Sequence, residues 1–131
     1  MLAFEHETSS FVFHEVRIGP GVSVTQLAAA LRVSVQDKPD DSAWRFVKVD
    51  ARPLSAFVAF LEGKINSGYF WVDVPGAGWN DYERAEHQRR MEHERLMCEM
   101  FGALQYDDQF LRVDLVRDPR SGLEQIRFEA R

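Results

Sequence analysis

The stretch NDYERAEHQRRMEHERLMCEMF (Asn80 to Phe101), followed by Gly102, then Phe110-Leu-Arg-Val-Asp-Leu-Val-Arg-Asp-Pro-Arg-Ser-Gly122 and Ile126-Arg-Phe128, decides the fold class. Asn80 or Asp81 supplies a helix cap. Asp81, Glu83 and Glu86 fall near the N-terminus, where the helix dipole favours carboxylates. Tyr82, Ala85, Leu96, Met97, Met100 and Leu104 recur on one face at helical spacing. Gly102 is placed to stop the helix in a left-handed conformation. Beyond it, Leu111, Val113 and Leu115 alternate with Arg112, Asp114 and Val116, and Ile126 and Phe128 alternate with Gln125, Arg127 and Glu129. Asp118-Pro119-Arg120-Ser121-Gly122 turns the chain between them, so the pair reads as a hairpin with one buried and one solvated face. A long charged helix and a two-faced hairpin define an α+β protein.

Working outward, Tyr69 to Val74 reads as a strand with Phe70, Val72 and Val74 on one face and Tyr69, Trp71 and Asp73 on the other. Pro53 suits the first turn of a helix carrying Leu54, Phe57, Val58, Leu61 and Ile65 on one stripe, with Phe60 off it and Asn66-Ser67-Gly68 as its end. Trp44 to Asp50 reads as a strand on which Trp44 and Phe46 share a face with Lys48 and Asp50, and Gln36 to Ser42 as a polar loop. Ser23 and Gln26 form a capping box ahead of a short helix over Leu27–Leu31. Phe11 to Ile18 reads as one strand, broken by Gly19-Pro20-Gly21. The expected architecture is a mixed or mainly antiparallel sheet of about five strands packed by two or three helices, a single domain over 1–131. Helices on both faces of that sheet would place Trp44 and Trp71 in the core.

Size and charge narrow the function. The chain has 131 residues and a net charge of −5, which disfavours broad electrostatic binding to nucleic acid or anionic lipid and suits a basic partner. Cys98 is the only cysteine, so no internal disulfide forms, as expected of a reducing compartment. The N-terminus has no basic and apolar leader pattern, and the longest apolar run, Ala56 to Leu61, is too short to span a bilayer. These features predict a cytoplasmic protein.

No catalytic constellation stands out. His87 and His93 are six residues apart, about 240° around a helix, and cannot share a metal ion by themselves; His6 and His14 add no spacing pattern, so no metal and no cofactor is expected. Gly76-Ala-Gly78 stands between a strand and a helix as a phosphate loop would, but Asp81 would repel a phosphate and no Gly-Lys-Ser/Thr follows. Cys98 sits near a helix C-terminus, which disfavours the thiolate. Arg89 and His93, four apart, continue the stripe of Tyr82, Leu96 and Met100. Three accounts compete for them: a solvated helix end, Arg89 snorkelling along a core edge, or a groove that receives a partner. Trp79, on a loop between Gly78 and Asn80, is expected to be exposed.

The C-terminal segment from Phe110 to Gly122, closing with Ile126-Arg-Phe128, resembles small bacterial immunity-type proteins, in which such a hairpin follows a charged helix. The resemblance covers the final quarter of the chain. It implies a protein that binds and neutralises a cognate toxin. The leading expectation is therefore a non-enzymatic protein that occludes a toxin, with a basic toxin domain as the expected partner, through Trp79, Asp81, Glu83, Glu86, Arg89 and His93. A small enzyme or ligand-binding domain with a pocket near Gly76–Asn80, Arg89 and His93 is the alternative, and a phage or accessory protein acting through protein contacts is a third.

Overall fold

The computed structural model describes residues 1–74 and 81–131. Among the described residues, ten strands and two helices follow one another as β1 (Leu2–Glu5), β2 (Ser10–Phe13), β3 (Val16–Ile18), α1 (Val24–Leu31), β4 (Gln36–Lys38), β5 (Asp41–Val49), β6 (Leu54–Leu61), β7 (Lys64–Val72), α2 (Tyr82–Phe101), β8 (Gln105–Asp107), β9 (Leu111–Arg117) and β10 (Glu124–Ala130). They build a 3-stranded sheet, β1-β2-β3, and a 7-stranded sheet, β4-β5-β6-β7-β10-β9-β8. All of these pairings are antiparallel. The α+β class stands, with more strands than expected and, among the described residues, no parallel pair.

The largest difference from expectation lies at 53–72. The run Leu54 to Leu61 is strand β6, and Asn66-Ser67-Gly68 lies inside β7 rather than ending a helix. Glu62 and Gly63, with φ of 51° and 81°, form a two-residue turn between them. A short apolar run fits either a buried helix or a central strand by periodicity alone, and pairing on both sides selects the strand here. The same device splits the expected Phe11–Ile18 strand: His14 and Glu15, at φ 46° and 68°, turn it into the β2–β3 hairpin. Part of the expected polar loop pairs as β4.

Other elements follow the local chemistry. Ser23 caps α1 with its side chain accepting from Gln26 N–H, and the Gln26 side chain returns the bond. Gly102, at φ 69°, ends α2 and donates its N–H to Cys98 O. A Cβ there would meet nothing within 4 Å, so Gly102→Val should carry backbone strain alone, about 1 kcal/mol. Urea melts check this; a neutral substitution would overturn it. Asp81 stands at the α2 cap position without a side-chain cap bond, at 3.7 Å from Arg84.

Strand register sorts the main sheet into two faces. Val47, Val58, Gly68 and Phe128 lie in one cross-strand row, and Val49, Ala56, Phe70 and Ile126 in the next. This inner face packs against Val24, Leu27 and Ala28 of α1, Leu96, Met97 and Met100 of α2, and Phe11 and Phe13 of the small sheet, in one core cluster. Phe11 sits 4.8 Å from Phe70 and 5.2 Å from Phe128, ring centroid to centroid, which joins the two sheets. Asp108, accepting from Ser9 Oγ at 2.6 Å and Tyr106 OH at 2.8 Å, ties the β1–β2 turn to the β8–β9 turn. Both helices therefore cover the same side of the sheet. Neither described helix is long and apolar enough to cross a membrane.

Candidate functional site

The second face of the main sheet is the unexpected one. Trp44 and Phe46 of β5, Phe57 of β6, and Tyr69 and Trp71 of β7 all have the parity opposite to the core. The rings form a diagonal stripe. Trp44 stacks on Phe46 at 6.4 Å, Phe46 on Phe57 at 5.5 Å, and Phe57 lies 6.3 Å from Tyr69. Each is half-buried, by its neighbours in the stripe and sheet rather than by a helix. Among the described residues no helix or strand lies over them, which corrects the expectation that Trp44 and Trp71 are core. Phe60 faces inward and is fully buried.

Beyond Tyr69 the row continues into an ion pair. Arg127 stands opposite Tyr69, and its guanidinium donates to both oxygens of Asp114 at 3.1 and 3.0 Å. Arg112 lies 3.6 Å from the same carboxylate, and Arg131 pairs with Asp107. A depression of about 300 Å³, lined by Tyr69, Val116, Gln125, Arg127 and the turn residues 117–120, closes this end of the stripe. A larger, mostly apolar one of about 340 Å³ lies elsewhere, between the Gly19-Pro20-Gly21 loop, Ile65 and Phe110. Neither includes Arg89 or His93, where the alternative of a ligand pocket was expected.

The expected partner patch at the start of α2 separates into two kinds of residue. Asp81 is half-buried and Glu83 exposed, while Trp79 and the Gly76–Asn80 loop lie outside the described residues. Arg89 and His93 are inside: 8% and 0% of their surface is exposed. Tyr82 and Leu104, expected on the buried stripe, are instead 44% and 42% exposed.

The burial of Arg89 and His93 has a specific cause. The β7–β10 ladder runs only as far as Phe70 opposite Ile126, which leaves the backbone of Val72 unpaired on that side. His93 Nε2 accepts the Val72 N–H at 3.0 Å, and Arg89 Nε donates to the Val72 carbonyl at 2.9 Å. Two helix side chains, one turn apart, thus supply the donor and acceptor that a neighbouring strand would have supplied. Since Nε2 accepts, the His93 proton sits on Nδ1 and is donated to Glu124 Oε1 at 3.1 Å; Arg89 also pairs with Glu86. Burial, with the Arg89 charge adding and Glu92 opposing, lowers the His93 pKa to about 4. Burial likewise raises Glu124, reinforced by Glu94 and Glu86 and opposed by Arg90. This cluster holds α2 to the sheet, and its polar atoms are spent within the chain. The sequence signal for it was the polar pair at i, i+4 in line with an apolar stripe.

Among the described residues no group of three or more His, Cys, Asp or Glu side chains is arranged to hold a metal ion. Cys98 is exposed.

The fold and its open face define an α+β protein whose helices and small sheet crowd one side of an antiparallel sheet and leave aromatic rings on the other. No protein-family model matches the chain, and no curated protein matches it in sequence. Among solved structures, a chain of the complex described as Rhs1-CT with its cognate immunity protein RhsI1 is similar in fold. Their TM-score is 0.57 over 100% of this chain and 88% of that one, at 11% identity. The likeness is one of fold.

Proposed function

We propose that this chain is a non-enzymatic protein-binding protein of the toxin-immunity type, acting by occlusion of a cognate bacterial toxin domain. The observation that carries this reading is the aromatic sheet face left uncovered by the described residues, on a fold that matches a chain of a toxin–immunity complex along its whole length. Trp, Tyr and Phe in a contiguous half-buried row, with no described element over it, are the side chains that anchor protein interfaces. The net charge of −5 favours a partner whose own surface is basic. The exposed Glu83 at the start of α2 would steer such a partner, Asp81 beside it being partly offset by Arg84, and Trp79 belongs to the same proposed patch. Arg89, His93 and Glu86 serve it indirectly, by fixing α2 on the sheet.

The test is to look for a toxin domain encoded next to this chain and to co-express the two. Cells making the toxin should grow only when this chain is present, and the two proteins should co-elute as a complex from size exclusion. Glu83→Lys should slow association several-fold at low salt and little at high salt. Absence of both protection and complex would overturn the proposal.

A further inference from the structure

Resting on that reading, we infer that the docking core is the outer face of β5, β6 and β7, and that it takes an apolar-centred, nearly flat protein surface of the toxin. Four observations carry the assignment. The rings of Trp44, Phe46, Phe57 and Tyr69 form one continuous stripe, with Trp71 on the same face, and no described element covers it. The stripe stands on the central strands of a 7-stranded sheet, whose paired backbones hold the rings in place before any partner arrives. A strand residue occupies roughly 16 Å² of sheet, so β5, β6 and β7 present on the order of 400 Å², and the whole outer side of the sheet, rim included, on the order of 700 Å², close to the roughly 800 Å² that each partner contributes to a standard interface. The fourth observation is electrostatic. Arg127, Arg112 and Arg131 are matched by Asp114, Glu129 and Asp107 on the same side of the sheet, so the rim offers hydrogen-bonding groups with little net field.

That last point selects the occupant. A nucleic-acid strand stacked on the rings would need several unneutralised cations to hold its phosphates; these guanidiniums already have carboxylates, and Lys48 opposite Phe57 adds a single charge. An apolar ridge framed by polar groups matches the ring stripe and its rim. Steering and anchoring then reside on different surfaces: the acids of α2 set the encounter rate, and the sheet face sets the lifetime of the complex.

Binding kinetics of the purified toxin domain with wild-type chain, Trp44→Ala and Trp71→Ala test this. Each ring variant should dissociate roughly 10- to 100-fold faster, with an association rate and salt dependence close to wild type. Unchanged far-UV circular dichroism and melting temperature must accompany the variants. If either variant is misfolded, Ser67→Cys in a Cys98→Ser background carries the test: a bulky maleimide label at Ser67, on the same outer face, should abolish the complex. Wild-type dissociation rates in both ring variants, or undiminished binding by the labelled chain, would overturn the assignment while leaving the toxin-binding reading intact. Failure of the wild-type chain itself to bind would sink that reading and the assignment with it. A wild-type dimer that Trp44→Ala converts to monomer in sedimentation, or tight binding of a thymidine oligonucleotide quenched by the same substitution, would give the face to another occupant and overturn the inference.

Discussion

Replacing His93 with alanine should cost about 3 kcal/mol of folding stability in urea melts. The imidazole is fully buried, and its Nε2 is the acceptor for the Val72 N–H. Removing it leaves a buried donor without a partner, at about 1–3 kcal/mol, opens a cavity, and strips Glu124 of its hydrogen bond. Arg89→Ala should cost nearly as much, because the Val72 carbonyl and Glu86 lose the same guanidinium. The two losses should be less than additive, since both variants free the same end of β7. His93→Gln, whose carbonyl oxygen can take the Val72 N–H, should recover part of the difference. A cost under 1 kcal/mol for His93→Ala would mean that α2 is held elsewhere. Reduced toxin binding at a full fold content in these variants would return the pair to the interface.

The same residue makes stability depend on pH. The folded state holds His93 at about 4, below its unfolded 6.5. In that interval the unfolded chain takes up a proton that the folded chain refuses, so the stabilisation is complete above about pH 6.5 and is lost as pH falls towards 4. A gap of about 2.5 units at about 1.4 kcal/mol each makes the loss about 3 kcal/mol. Glu124 works in the opposite sense: its raised folded value gains stability as pH falls through it, which blunts the lower end of the slope. Comparing wild type with His93→Gln between pH 7 and pH 4 isolates the histidine; parallel profiles would remove it as the cause.

How much of this was legible in the sequence depends on range. The Ser23–Gln26 capping box, the Gly102 stop and the Asp118–Gly122 turn are encoded within a few residues, and each falls where its local chemistry puts it. The parity of Tyr69 and Trp71 against Phe70 and Val72, and the pairing of Trp44 with Phe46, are equally local and were readable. The side the helices would take was not, because that is settled by which apolar set α1 and α2 bury, and both faces of β5, β6 and β7 carry large apolar residues. Phe57 shows the cost: at helical spacing with Leu54, Val58 and Leu61 it reads as core, and only the Glu62-Gly63 turn reveals a strand that puts it outside. Arg89 and His93 were visible as an odd pair on an apolar stripe. Their role depends on where β10 stops relative to β7, a register that no local pattern prints.

Gly68→Val should be among the most damaging single changes, at about 3 kcal/mol or more, with Gly68→Ala intermediate. Gly68 lies on the inner face of β7, between Val58 and Phe128 in the cross-strand row. A Cβ there would sit 2.4 Å from Phe128 Cζ and 2.5 Å from the Phe57 carbonyl oxygen. The ring can move only by leaving its packing with Phe11 and Phe70, which is the contact that holds the small sheet on the large one. The carbonyl belongs to the central strand β6 and has no such freedom. The glycine therefore serves as a seat for Phe128, and a side chain in that seat must either expel the ring or push β6 and β7 apart. Shrinking the ring separates the two obstacles: Phe128→Leu combined with Gly68→Ala should recover the part due to the ring and leave the part due to the backbone. Full recovery would assign the whole cost to Phe128. A neutral Gly68→Ala would show that β7 shifts by several tenths of an ångström at no cost. That would contradict the rigid sheet on which the docking face depends, because Phe57 and Tyr69 flank this position on the outer side.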